Sequence, residues 1–277
     1  MGHQARNFNA PDGTAIHCQA WLPDAKPKAV MQIVHGLGEH GGRYKNYVDH
    51  FVPRGYALYA ADMRGHGRSS GARGHTPSYA TLLDDITAFL AHVRAEQIDR
   101  KVVLLGHSLG GNLALNYARR RPEGLSAVIV TGPWLQLPQA PSAPLVALAR
   151  VMARVVPAFA LSNGLDVAAI SRDPAVVAAY RLDPLVHDRI SPRMYVDCAA
   201  AAAWALKHAG NLALPVLLLH GSEDRLTSPH GTRLFWQAAN NSQVEHREYA
   251  GMYHEVHNDV GKELVFKDIE DWLSAKL

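Results

Sequence analysis

Three side chains that together could activate a hydroxyl group are far apart in the chain, each just after a short apolar run. Ser108 is the centre of a Gly-x-Ser-x-Gly motif, Asp224 follows the run at 215–219, and His254 follows the alternating run at 244–249. An alcohol is a poor nucleophile at neutral pH, so it needs a base such as histidine, and the histidine needs an acid that fixes its tautomer. The chain therefore carries the groups required for nucleophilic acyl transfer.

The serine motif lies between a predicted strand, 102–105, and a helical pattern that begins near Asn112. In a strand–turn–helix of this kind the serine has a strained backbone, and Gly106 and Gly110 remove side chains that would collide with the neighbouring strand and helix. The amide of Leu109 then points at the oxygen that the serine attacks. We predict a nucleophile elbow here; the alternative is an ordinary glycine- and serine-containing turn.

A second oxyanion donor is expected from the loop after the apolar run 29–34. In His-Gly-Leu-Gly-Glu-His the backbone N–H of Leu37 is the candidate, and Gly36 and Gly38 let the main chain approach the substrate closely. A simple turn at the end of a strand is the alternative interpretation, although such a turn would not need this many glycines beside a histidine.

The acid and the base each have a rival. Glu223 precedes Asp224, but neighbouring side chains diverge in a tight loop after a strand, and we favour Asp224. His257 follows His254 by three residues, but the glycine turn at Gly251 places His254 closer to the strand end. The pattern from His254 to Asn258 puts the second histidine one position too early for a zinc-protease ligand pair. No metal or other cofactor is required by this chemistry.

Strands and helices alternate up to about residue 132, and the strand runs are nearly continuous in apolar residues. This pattern predicts an α/β fold with a mostly parallel central sheet flanked by helices. From 133 to 192 prolines are frequent and no convincing core strand is present. We interpret 1–132 and 193–277 as a core domain of the α/β-hydrolase type, and 133–192 as an inserted helical cap.

Within the cap segment, residues 145–156 are apolar over most of a helix circumference, with Arg150 and Arg154 one turn apart. The stretch is too short to cross a membrane. It is either a buried core helix or a lid helix whose apolar face meets substrate or a lipid surface.

The overall composition excludes some function classes. The formal net charge is +3 without a cluster of Lys and Arg, so nucleic acid is not an expected partner. Cys18 and Cys198 form no disulfide or metal framework. The start of the chain lacks an apolar signal core, and no apolar run is long enough to span a bilayer. We therefore expect a cytoplasmic protein, with the cap as the candidate for peripheral membrane contact; the oligomeric state is not indicated.

Taken together, these motifs closely resemble the monoacylglycerol lipase branch of the α/β-hydrolases, which also includes proteins called lysophospholipases. The resemblance runs over nearly the whole chain and implies a Ser108–Asp224–His254 triad, oxyanion amides at Leu37 and Leu109, and a mobile cap over an acyl channel. The matching stretches are HGLGEHGGRY (35–44), DMRGHGRSSG (62–71), GHSLGG (106–111), LSNGLDVAAISRD (161–173), YRLDPL (180–185), HGSEDRL (220–226) and GMYHEVHND (251–259).

The same resemblance implies roles for residues around the triad. Glu39, Arg43 and His257 are expected to form a polar network that supports the catalytic histidine loop, and Tyr180 is expected near the glycerol end of the pocket. Animal members carry cysteines where His187 and Met194 stand here, so their sensitivity to thiol reagents is not expected. Gly36, in the loop of Leu37, is expected to contact substrate. The cap residues expected to contribute apolar surface for the acyl chain are Leu145, Leu148, Val151, Met152, Val155 and Val156.

The leading hypothesis is a serine esterase that cleaves monoacylglycerols or similar medium-to-long acyl esters. A broad carboxylesterase or a lysophospholipase is the main alternative. An aminopeptidase on this fold would need cap carboxylates aimed at a free amine, for which Asp166, Asp173, Asp183 and Asp188 are available. A non-catalytic ligand-binding protein is the remaining alternative, but such a protein could lose its triad freely, whereas this chain keeps every member.

Overall fold

A computed structural model of the chain describes residues 2–210 and 212–277. Within these residues, eight strands form one sheet in the order β1-β2-β4-β3-β5-β6-β9-β10, and a separate pair is formed by β7 and β8. The strands are β1 Gly2–Asn9, β2 Ala15–Leu22, β3 Ala29–Val34, β4 Tyr56–Ala61, β5 Lys101–His107, β6 Ala127–Thr131, β7 Leu161–Ser162, β8 Arg189–Ile190, β9 Val216–Gly221 and β10 Val244–Tyr249.

Eight α-helices connect or flank these strands in the described part of the chain. They are α1 Lys45–Phe51, α2 Tyr79–Glu96, α3 Leu109–Arg120, α4 Ala143–Val155, α5 Pro174–Leu182, α6 Pro192–Lys207, α7 Pro229–Ala239 and α8 Lys262–Lys276. Single 3₁₀ turns precede α1, at Gly41–Tyr44, and α5, at Val167–Ala169.

The sheet is parallel from β4 to β10, and only β1 and β2 run antiparallel to their neighbours. It is covered on both faces, because the side chains of each strand alternate between two buried clusters. In β5, Val102 and Leu104 pack with α2, α3 and α6, whereas Val103 and Leu105 pack with α1 and α8. The predicted α/β-hydrolase fold is confirmed.

The turn between β5 and α3 depends on a glycine whose hydrogen faces the neighbouring strand. A Cβ added at Gly110 would lie 1.9 Å from the carbonyl oxygen of Val34, which is a backbone atom of β3. A contact this short cannot be relieved by rotating a side chain, so the helix would have to move away from the sheet.

We expect Gly110→Ala to lower the free energy of unfolding by about 1–3 kcal/mol or more, although glycine-to-alanine changes inside helices usually stabilise. Thermal unfolding followed by circular dichroism measures the effect. The control is Gly2→Ala, because a Cβ there would meet nothing within 4 Å. Equal midpoints for the two variants would contradict this close approach.

The segment between β6 and α6 lies outside the sheet and contains α4, α5 and the short β7–β8 pair. Its assignment as a separate cap, with boundaries at 133 and 192, stays a prediction. No helix in the described ranges, α4 included, has the length and apolar content needed to cross a bilayer.

Helix α4 shows its large apolar side chains to solvent rather than to the protein. It packs against α6, and Ala153 is its one buried side chain. Met152 is half-buried. The exposed fractions are 56% for Leu145 and Leu148, 57% for Val151, 71% for Val155 and 38% for Val156.

Candidate active site

Ser108 is at the tip of the turn between β5 and α3, where its backbone is strained. Its φ of +56° and ψ of −114° lie in a region that residues with a side chain rarely adopt. The conformation is held by three backbone hydrogen bonds: Ser108 donates to the carbonyl of Thr131 and accepts from the amides of Asn112 and Trp134. The half-buried serine side chain is therefore raised above the sheet edge in a fixed position.

The backbone amides of Leu109, the first residue of α3, and of Leu37, in the loop after β3, have no hydrogen-bond partner among the described residues. The amide of Gly36 is not free, because it donates to Glu39 Oε1 at 2.6 Å. Gly36 itself lies against the serine, since a Cβ there would be 3.3 Å from the Cβ of Ser108. Both predicted oxyanion donors, Leu37 and Leu109, therefore have an amide hydrogen that no described residue accepts.

Asp224 follows β9 and is fully buried, with both carboxylate oxygens occupied. Oδ1 accepts from the amides of Leu226 and Thr227 at 2.8 and 3.0 Å. Oδ2 lies 2.9 Å from the hydroxyl of Thr227, 2.9 Å from His220 Nε2 and 2.7 Å from His254 Nδ1. The rival carboxylate, Glu223, is exposed.

His254 follows β10 and its ring is held by Asp224. Burial would lower the pKa of this imidazole, but the adjacent Asp224 carboxylate favours the charged form more strongly, so the pKa is raised above the usual 6.5. Asp224 in turn has its pKa held well below the ordinary range: its own burial opposes this, but the charge of His254 and the bonds from both histidines outweigh it. Ser108 and His254 line the same cavity, although no hydrogen bond joins their side chains in the described structure.

His257, the rival histidine, is packed among aromatic rings. Its ring stacks on Tyr44 with centroids 5.2 Å apart, and its Nδ1 has no hydrogen-bond partner among the described residues. Burial lowers the pKa of His257 to about 4, so the ring is neutral near pH 7. His257 touches the His107 ring rather than the Asp224 carboxylate.

A buried ion-pair network lies beside the oxyanion loop, but its members differ from the prediction. Arg43 contacts Glu39 Oε2 at 2.5 Å and binds Glu255 through two hydrogen bonds of 2.7 and 2.8 Å. His257 makes no hydrogen bond to Glu39 or Arg43, so its expected place in the network is taken by Glu255, the residue after His254. The network therefore ties the histidine loop to the loop of Leu37.

The cavity above Ser108 has a volume of about 670 Å³ and is mainly apolar. Tyr180 lines it and carries the Arg43 guanidinium over its ring, 4.5 Å from the centroid. The predicted acyl-chain residues of α4 do not line it, because most of them face solvent: Leu145, Leu148, Val151, Met152, Val155 and Val156. The apolar side chains that do line the cavity include Trp134, Leu137, Leu165, Ile170, Ile190 and Leu226.

The segment 183–187, which follows α5, packs directly on the loop that carries Leu37. The amide of His187 donates to the carbonyl of Gly38 at 2.8 Å, and His40 Nε2 lies 2.9 Å from Asp183 Oδ2. Gly38 has a φ of +80°, and a Cβ there would lie 2.3 Å from the carbonyl oxygen of His187. The loop that carries Leu37 is thus held from both sides, by β3 and by the 183–187 segment.

Sequence reasoning missed three residues of this site: His220, Thr227 and Glu255. Each lies within four positions of Asp224 or His254. That proximity is the one signal that could have indicated them, but it does not say which neighbouring side chain turns inwards.

A family profile described as "Serine aminopeptidase, S33" matches residues 25–261. The chain belongs to this hydrolase family. The hydrolase is 34% identical over 272 residues to the monoacylglycerol lipase of Mycolicibacterium smegmatis, a match that covers 98% of this chain and 97% of the relative. It is 30% identical over 270 residues to the monoglyceride lipase of Rattus norvegicus, covering 96% of this chain and 89% of the relative.

Solved structures give the same affiliation. The hydrolase superimposes on a monoacylglycerol lipase from Paleococcus ferrophilus with a TM-score of 0.84 and 34% identity over the whole of both chains. A soluble variant of monoglyceride lipase from Saccharomyces cerevisiae, in complex with a substrate analogue, gives a TM-score of 0.86 and 25% identity over 99% and 94% of the two chains. This monoacylglycerol lipase-like α/β-hydrolase is a carboxylic ester hydrolase.

Proposed function

We propose that the protein hydrolyses monoacylglycerols to glycerol and a free fatty acid through a Ser108–His254–Asp224 triad. The observation that carries the proposal is the His254 ring, bound to a buried carboxylate through Nδ1 and lining the same cavity as the strained Ser108. With Nδ1 occupied, Nε2 is the nitrogen left to take a proton from the serine.

The reaction takes place in two steps. Ser108 Oγ attacks the ester carbonyl while His254 Nε2 accepts the hydroxyl proton, and the amides of Leu37 and Leu109 stabilise the oxyanion. His254 then gives the proton to the departing glycerol oxygen, which leaves an acyl-serine. Water, deprotonated by the same histidine, attacks the acyl-serine, and His254 returns this proton to Ser108 Oγ as the fatty acid leaves. Rotation of the Ser108 side chain brings Oγ to Nε2 when substrate binds, since such bonds often tighten only in the complex.

The polar and apolar parts of the cavity suit the two halves of a monoacylglycerol. Tyr180 and the Arg43 network supply polar groups for glycerol hydroxyls, whereas the apolar lining accepts the acyl chain. Relatives that carry the name monoacylglycerol lipase support this substrate.

A substrate panel tests the proposal. Monoolein, oleoyl lysophosphatidylcholine and a prolyl-naphthylamide are compared at equal enzyme concentration. We expect the highest kcat/KM for monoolein and none for the amide. A higher kcat/KM for the lysophospholipid would favour the lysophospholipase alternative, and cleavage of the amide alone would overturn the esterase proposal.

The aminopeptidase alternative has little support in the arrangement of the acidic residues. Asp173 caps α5, Asp183 binds His40, and Asp188 is exposed beside Arg189. Asp166 lines the cavity, but its side chain accepts the amide hydrogen of Ala168. Of these four carboxylates, Asp166 is the one that lines the cavity, and one of its two oxygens is bound to the Ala168 amide.

The pH dependence of the reaction should report the raised pKa of His254. The base must be neutral, so kcat/KM should fall as pH decreases through an apparent pKa above 6.5, the usual value for histidine. Hydrolysis of p-nitrophenyl butyrate between pH 5 and 9 measures this acid limb. His3→Gln is the control, because His3 is on the exposed edge strand β1. An acid limb at or below 6.5 would contradict the proposed role of Asp224.

We infer that residues 133–192 act as a cap and that α4 contacts the lipid surface from which substrate is taken. Leu148 and Val155 are on its exposed apolar face, and burying one such side chain is worth about 1.5–3 kcal/mol. Leu148→Ser with Val155→Ser should weaken binding to phosphatidylcholine vesicles at least tenfold.

The control for this pair is Ile98→Ser, since Ile98 is 68% exposed but lies outside the cap segment. Vesicle co-sedimentation is the measurement, and activity on soluble p-nitrophenyl butyrate should stay within about twofold. Vesicle binding that is unchanged by the double substitution would exclude α4 as the contact.

A further inference from the structure

His220 lies four residues before Asp224, at the end of β9, and its side chain is fully buried. Its Nε2 is 2.9 Å from Asp224 Oδ2, the oxygen that also binds His254. Its Nδ1 is 2.7 Å from the hydroxyl of Thr232 in α7. Thr232, His220, Asp224 and His254 therefore form one buried chain of hydrogen bonds, of which the proposed reaction uses only the last two members.

The chemistry of these partners assigns the two ring nitrogens of His220. An ionised carboxylate can only accept, so Nε2 must carry a hydrogen and donate it to Asp224. In the neutral ring Nδ1 is then an acceptor, and the Thr232 hydroxyl donates to it. The threonine thereby fixes the tautomer that points a donor at the carboxylate, as outer partners do for other functional histidines.

We propose that His220 is a positioning residue, whose hydrogen bond orients the Asp224 carboxylate and shares its negative charge. Asp224 then fixes the orientation of the His254 ring without stabilising its protonated form too strongly. This inference rests on the proposed function of the triad. Oδ2 accepts from His220 and His254, and it lies 2.9 Å from the Thr227 hydroxyl, whose single hydrogen is also in reach of the Gly132 carbonyl. Without His220, Oδ2 would lose a fixed donor, and its negative charge would favour the protonated form of His254 more strongly.

The charged and titratable groups facing His220 come from two loops and one strand. Asp224 is in the loop that follows the strand of His220, and His254 is in the loop after β10. His246, in β10, is close enough to interact electrostatically with His220. Asp224 is the one carboxylate among these groups. Removal of the His220 donor should therefore change the charge that Asp224 presents to His254, and with it the acid limb of the pH–rate profile.

A matched pair of amide substitutions tests the proposal. In His220→Gln the side-chain nitrogen can reach the position of Nε2 and still donate to Asp224. In His220→Asn the shorter side chain reaches only the position of Nδ1, near Thr232. Both variants keep a polar amide at this site, so they differ chiefly in contact with the carboxylate.

We expect His220→Asn to lower kcat about tenfold with KM within twofold, as loss of an outer hydrogen bond commonly does. Its acid limb should move upwards by roughly 0.5 pH unit. His220→Gln should stay close to wild type in kcat and in the position of the acid limb. Equal losses in the two variants, or a pH profile of His220→Asn that superposes on wild type, would overturn the proposal.

Two further measurements keep the outcome clear. If His220→Asn does not fold, Thr232→Val, which preserves side-chain volume, should lower kcat about threefold and shift the acid limb in the same direction; no change would overturn the inference.

The rate of Ser108 labelling by a fluorophosphonate ranks all variants without an ester substrate. If wild type is labelled but cleaves no ester, the proposed function fails while the role of His220 is still decided by these rates.

Discussion

Ser108→Ala should lower kcat for p-nitrophenyl butyrate and monoolein by about 10⁴–10⁶-fold, because the acyl-serine cannot form. Any residual rate would come from direct attack of water on the ester, with the oxyanion stabilised by the proposed donors, the amides of Leu37 and Leu109. Alanine keeps the Cβ of serine at the strained position, so thermal unfolding should be little changed. Fluorophosphonate labelling should disappear together with the activity.

The control for this change is Ser274→Ala, because Ser274 is on the exposed face of α8, where its hydroxyl donates to the carbonyl of Glu270. This variant should be labelled and should hydrolyse ester at the wild-type rate. Hydrolysis by Ser108→Ala at the wild-type rate would rule out the elbow serine as the nucleophile and, with it, the whole proposed mechanism.

Asp224→Asn should lower kcat about 10⁴-fold while the protein still folds. An amide in place of the carboxylate turns a donor towards His254 or towards His220, so the imidazole loses the partner that fixes Nδ1–H. The charge that raises the pKa of His254 is lost as well. The remaining activity should therefore show an acid limb at lower pH than in wild type.

Glu223→Gln is the matched control, since this neighbouring carboxylate is exposed and the sequence alone does not separate the two. It should keep kcat/KM within twofold. The measurement is the pH profile of p-nitrophenyl butyrate hydrolysis for both variants. A larger loss for Glu223→Gln than for Asp224→Asn would reverse the assignment of the acid.

The position of Ser108, Asp224 and His254 was predictable because parallel strands end at one edge of the sheet. A residue that directly follows β5, β9 or β10 must lie near that edge, whatever the intervening chain does. The strained backbone of Ser108 was predictable for a related reason, since flanking glycines reveal a turn that a normal strand–helix connection would not need.

The orientation of α4 and the composition of the polar network were not predictable in this way. Periodicity shows that a helix has an apolar face but not which side of the helix packs on the protein, and in α4 Ala153 is buried whereas Leu148 and Val155 are exposed. In the same way, Glu255 and His257 both follow His254, and only the fold shows that Arg43 binds the glutamate. Such choices depend on contacts with distant elements.

The docking of the 183–187 segment on the oxyanion loop limits how the substrate range of this enzyme can be altered. Because the carbonyl of His187 fills the space beside Gly38, a change of backbone path there would also displace the amide of Leu37. Efforts to admit bulkier esters should therefore leave this segment intact and vary Leu137 or Leu165, which line the cavity elsewhere. At Leu137 and Leu165 the shape of the pocket can be changed without displacing the amide of Leu37.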